Sequence, residues 1–104
     1  MAKYLFSYHG GKMPEGEEAM AKEMAAWGAW FESMGASVLD PGNPVMTSMT
    51  VASDGSTSDG GGANPVGGYG LFEAASLDAA ADMAKGCPVL ASGGSVEVGE
   101  TIDM

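Results

Sequence analysis

The first apolar signal alternates. In residues 3 to 8, Tyr4, Phe6 and Tyr8 fall on one side of an extended chain and Leu5 and Ser7 on the other. A period of two is that of a strand, and bulky side chains toward both faces predict a strand covered on both sides. Gly10-Gly11 then breaks the pattern, and Pro14 and Glu15 stand where a helix can begin, with Glu15, Glu17 and Glu18 at its positive end. Met20, Met24, Trp27, Phe31 and Met34 recur at steps of four, three, four and three, one stripe of a helix predicted to face the core, and Gly35 is its terminator. Trp30 lies beside that stripe, as a pocket wall or a subunit contact.

Residues 38 to 45 read as a turn cluster, because Asp40-Pro41 and Asn43-Pro44 forbid continued helix. Residues 46 to 53 alternate methionine, threonine and valine as a half-buried strand does, and residues 54 to 65, rich in glycine and polar side chains, read as a long hairpin loop. A strand over 66 to 74 follows, with glycines that permit close backbone approach. Ser76 caps a helix over 76 to 86, with Asp78 in its first turn, Lys85 in its last and Gly86 as its stop. The closing strand, 94 to 102, turns Val96 and Val98 inward and Glu97 outward.

The order strand, helix, strand, strand, helix, strand predicts an α+β fold of the ferredoxin-like β-α-β-β-α-β type. One four-stranded antiparallel sheet carries both helices on one face. Its other face is bare in a single chain, which predicts a homodimer formed by two open faces pressed together.

Composition narrows the partners. The chain has 104 residues, enough for one domain over 1–104 that buries roughly 65% of its unfolded surface. Its 14 acidic residues stand against 4 lysines and no arginine, a net charge of −10 that repels a phosphate backbone, so nucleic acid is not an expected partner. The apolar run Tyr4-Leu5-Phe6 is too short for a signal-peptide core or a membrane span; a soluble cytoplasmic protein, without a membrane partner, is the expectation. Cys87 is the sole cysteine and is read as inert packing.

His9 is the sole histidine and the side chain best suited to proton transfer near neutral pH. Asp40 and Asn43 in the following turn, and Asp59 in the loop, are its candidate partners, Asp40 as the carboxylate that orients the imidazole. The plainer alternatives are a strand-end histidine bonded to a backbone carbonyl, and turn residues bonded within their own turn. Tyr8, Trp27 and Trp30, with Met20 and Met24, are candidates to line a pocket for a small organic ring, or else simple core. No metal site is expected from one histidine and one distant cysteine. No cofactor is expected either, because neither Asp59-Gly60-Gly61-Gly62 nor Gly67-Gly68-Tyr69-Gly70 completes a phosphate or dinucleotide fingerprint.

Several stretches together resemble the YCII-related domain family: KYLFSYHGG at 3–11, the tryptophan- and methionine-rich helix, the Gly-Asn-Pro turn at 42–44, SDGGGANPVGGYGLFEAASLDAAADMAKGCP at 58–88 and GGSVEV at 93–98. The resemblance is closest to the family's DGPF-type branch. It implies a dimeric α+β barrel. It also implies a small isomerase or lyase acting on a ring-shaped or lactone-like organic molecule in a cleft between the sheet and the first helix, the alternative being a non-catalytic small-molecule-binding or protein-interaction module. The best-known members carry a histidine at the start of the first helix, where this chain has none, and Asp59-Gly60 is followed by Gly61-Gly62 rather than Pro-Phe.

Overall fold

The computed structural model describes residues 1–104. Its central strand, β1 (Ala2–His9), pairs antiparallel with β5 (Val66–Ala74) on one side and β6 (Ser95–Glu100) on the other. A short edge strand, β2 (Val38–Asp40), pairs antiparallel with β5, so the sheet order is β2-β5-β1-β6. The helices α1 (Gly16–Met34) and α2 (Leu77–Ala84) close two β-α-β units over one face. The protein is therefore α+β with the ferredoxin-like order. No helix is long and apolar enough to cross a membrane.

The core sits between sheet and helices. Tyr4, Phe6 and Phe72 are fully buried, and the rings of Phe6 and Phe72 stack with centroids 4.1 Å apart. Above them lie Trp30 from α1 and Ala80 and Ala84 from α2; alanine lets a helix axis come close to the strands. Ser76 caps α2 by accepting a hydrogen bond from the Ala79 N–H at 3.1 Å, worth about 1 kcal/mol.

The packed stripe of α1 differs from the one its hydrophobic residues predict. Met20 is 45% and Met24 70% exposed, whereas Trp30 is only 6% exposed. The side chains turned inward are Ala19, Glu23, Trp27, Trp30, Phe31 and Met34, one position behind the methionines at its start. A glutamate in that stripe hides it from a hydrophobicity count. Glu23 is tolerated there because its Oε1 accepts from the Trp27 indole N–H at 3.1 Å.

The edge of the sheet also departs from the predicted order of segments. Residues 46–53 do not supply its fourth strand. Only β3 (Met49–Val51) forms there, and it pairs with β4 (Thr57–Asp59), inside the predicted loop, as a separate two-stranded ladder. The fourth strand is β2, in the segment read as a turn. Proline is tolerated on an edge strand, where the missing N–H faces no partner. The edge continues past Pro41 through a Pro44–Gly68 bridge and the Val45 N–H bonded to the Gly67 carbonyl at 3.0 Å. Gly42 makes this possible: its φ is +72°, and a Cβ there would lie 1.7 Å from the Tyr69 carbonyl oxygen.

The face away from the helices is uncovered in one chain. Leu5, Leu39 and Tyr69 are exposed on it, and Leu71 half-buried. The result is a slab measuring 43 × 42 × 19 Å.

Candidate active site

His9 ends β1 opposite Ser95 of β6, on the same side of the strand as Ser7 and therefore on the open face. Its side chain is only 7% exposed, because the segment entering β5 lies over it. Nδ1 is 3.1 Å from the carbonyl oxygens of both Asn64 and Pro65. Two acceptors at one ring nitrogen require that nitrogen to carry the hydrogen. The neutral ring thus keeps its lone pair on Nε2.

That nitrogen is buried and makes no hydrogen bond. Its charged neighbour is Glu97 Oε1 at 3.4 Å. Glu97 is 74% exposed, so solvent weakens the pair in a single chain. Chemically, the arrangement is a base of fixed tautomer whose protonated form faces a carboxylate. Gly94 keeps this corner tight: a Cβ there would meet the His9 carbonyl oxygen and Val89 Cγ2, each at 2.6 Å.

Other predicted residues lie elsewhere. Asp40 Oδ1 accepts from the Gly42 N–H at 2.9 Å within its own turn and does not reach His9. Asp59 stands opposite Met49 in the β3–β4 ladder, also away from His9. Asn43 holds the rim of the open face, donating from Nδ2 to Tyr69 Oη at 3.4 Å. Tyr8, Trp27 and Trp30 cluster on the helix side, with Tyr8–Trp27 and Tyr8–Trp30 centroids 4.9 and 6.2 Å apart in edge-to-face contact. The sheet separates this cluster from His9. The expected cleft between sheet and first helix is thus not where His9 points.

The Tyr8 hydroxyl is buried without a hydrogen-bond partner, and desolvation pushes its pKa up. Cys87 is likewise buried, and its thiol is pushed up to about 11, chiefly by desolvation. A thiol so held is a poor nucleophile at neutral pH. An open groove of about 710 Å³ between α1 and the turn after α2 is lined by Trp30, Glu23, Lys85 and Cys87 among others, and His9 does not reach it. No three His, Cys, Asp or Glu side chains converge, so His9 and Glu97 have no third ligand for a metal within one chain.

Glu97 is the residue the sequence reasoning missed. Its outward position between Val96 and Val98 was legible, and the ferredoxin-like order sets the last strand beside the first. Those two facts together place Glu97 next to the end of β1 on the open face.

Comparison with curated proteins and with solved structures returns no match for this chain. The model of one family, described as the YCII-related domain, matches residues 4–104, nearly the whole length. The chain therefore belongs to the YCII-related domain family.

Proposed function

We propose that His9 is the proton-transfer residue of a cleft that forms where two copies of the chain meet, open face to open face, and that the cleft takes a small ring-shaped or lactone-like organic molecule for isomerisation or elimination. The observation that carries this reading is the buried, unbonded Nε2 of His9, with Nδ1–H committed to two backbone carbonyls. A base of this kind takes a proton from a carbon acid as imidazolium forms, Glu97 steadies that cation, and the proton returns at another atom. Isomerisation by that route consumes no co-reactant. Leu5, Leu71 and Tyr69 supply the apolar walls that such a ligand needs.

A second reading is a non-catalytic small-molecule-binding or protein-interaction module using the same face. It is favoured by the exposure of Glu97, which leaves the His9 corner open on one side in a single chain.

Native mass spectrometry of the purified protein identifies any small molecule that copurifies, and incubation in deuterated water separates the readings. Exchange of a ligand C–H with solvent, lost in His9→Gln, supports catalysis. Binding without exchange supports the module. Exchange at full rate in His9→Gln overturns the role given to His9.

A further inference from the structure

The β3–β4 hairpin is the part of the molecule that the fold does not account for. Its two strands pair with each other, and neither packs extensively on the main sheet or the helices. Isolated two-stranded hairpins are marginal in water. This one also holds apolar side chains out into solvent: Met46 is 82%, Met49 60% and Val51 67% exposed. Met49 and Val51 are two apart on one strand and share a face.

The hairpin is nevertheless well fixed within itself. Thr50 Oγ1 donates to the Gly60 carbonyl at 2.7 Å, and the Gly60 N–H donates to the Ser48 carbonyl at 3.0 Å. At the tip, Asp54 Oδ1 accepts from both the N–H and the hydroxyl of Ser56, at 2.9 and 2.7 Å. The segment is thus shaped before anything touches it. Its exit is also informative. The chain leaves β4 and returns at the end of the open face where β1 stops, and there the Asn64 and Pro65 carbonyls cover His9. The hairpin therefore projects from the rim of that face.

Surface area says how much is left to cover. The chain exposes 6974 Å², whereas a compact monomer of its mass exposes about 5,400 Å². Its radius of gyration is 14.9 Å against about 13 Å for a compact chain of this length. The surplus of roughly 1,600 Å² is about twice what one partner gives up in a standard interface. A flat contact between open faces uses part of it.

We propose that the β3–β4 hairpin is an exchanged arm, which reaches over a second copy of this chain and seats Met49 and Val51 against the partner's open sheet face. The inference rests on the open-face dimer proposed above. Each copy gives one arm and receives one, so the contact closes as a two-fold. Preshaping by its own hydrogen bonds lowers the ordering cost of docking.

The test compares two variants of the full chain by sedimentation equilibrium. Val51→Asp changes a side chain that is exposed in one copy and leaves that copy's fold alone, whereas Leu5→Asp changes the open face itself. The wild-type chain is expected to be dimeric at micromolar concentration. Val51→Asp is expected to weaken the dimer about a hundredfold, roughly tenfold for each of two arms. If Leu5→Asp dissociates the dimer while Val51→Asp leaves its dissociation constant unchanged, the arm is overturned and the open-face contact stands. A wild-type monomer overturns both. Contact is read independently with a nitroxide placed through Ser53→Cys, mixed with isotope-labelled unmodified chain; buried Cys87 stays unlabelled at neutral pH. Broadening of the labelled chain's Leu5 and Leu71 amides supports exchange. Sharp amides in the mixed dimer, or an arm that instead pairs with a foreign protein's strand, overturn it.

Discussion

The indole N–H of Trp30 donates to the carbonyl of Met83 at 3.0 Å, so the polar atom of a buried ring ties α1 to the last turn of α2. Trp30→Phe keeps an aromatic ring over Phe6 but leaves that carbonyl without its donor. It is expected to cost about 1–2 kcal/mol and to lower the melting temperature by roughly 5–10 °C. Trp30→Ala removes the packing as well and is expected to cost about 3–5 kcal/mol. Denaturant titration of both variants checks the order.

His9 is expected to matter to stability apart from any chemistry. His9→Gln retains a donor for the Asn64 and Pro65 carbonyls and is expected to cost under about 1 kcal/mol. His9→Leu strands both carbonyls and is expected to cost about 2 kcal/mol. Amide exchange at Val66 and Gly67 reports the loss locally; equal protection in both variants counts against the bonding described.

Gly42→Ala probes the edge strand. A methyl group 1.7 Å from the Tyr69 carbonyl oxygen cannot stay there, and the positive φ adds strain. The variant is expected to lose about 3 kcal/mol, with backbone shifts concentrated in residues 38–45 and 67–71. A wild-type urea midpoint contradicts this.

The thiol of Cys87 gives a pH dependence with a definite sign. Its folded pKa of about 11 lies above the ordinary thiol value of 9.0. Below pH 9 both states hold the proton and the full stability is present. As pH rises from 9 to 11 the unfolded chain loses the proton first, so stability falls over that window. Cys87→Ala is expected to flatten that part of the stability curve. Alkylation of Cys87 at pH 8 is expected to be far slower than that of an unfolded control.

Much of this architecture is legible in the chain itself. Tyr4, Phe6 and Tyr8 announce β1, Ser76 and Gly86 bracket α2, and Val96 and Val98 orient β6. What escapes the sequence does so for physical reasons. Proline and glycine at 41, 42 and 44 signal a turn to any local reading, and they mask the short edge strand that ends just before them at Asp40 and the lone bridge at Pro44. In α1, Glu23 interrupts the apolar stripe, while Met20 and Met24, equally hydrophobic, face out. The turn and loop expected at the rim of the sheet point to Asp40, Asn43 and Asp59 as partners of His9. Glu97, brought alongside by antiparallel pairing, was available only by combining strand order with side-chain parity.

The ring of His9 hangs from the stretch of backbone that ends the hairpin arm. Because it is the chain's sole histidine, its imidazole C–H signals form one isolated pair in a proton spectrum, with no other imidazole to overlap them. In the proposed dimer, any tilt of the hairpin as copies engage moves two carbonyl dipoles against Nδ1 and shifts those lines. The protein thus carries a built-in reporter for the proposed assembly, readable at natural isotopic abundance.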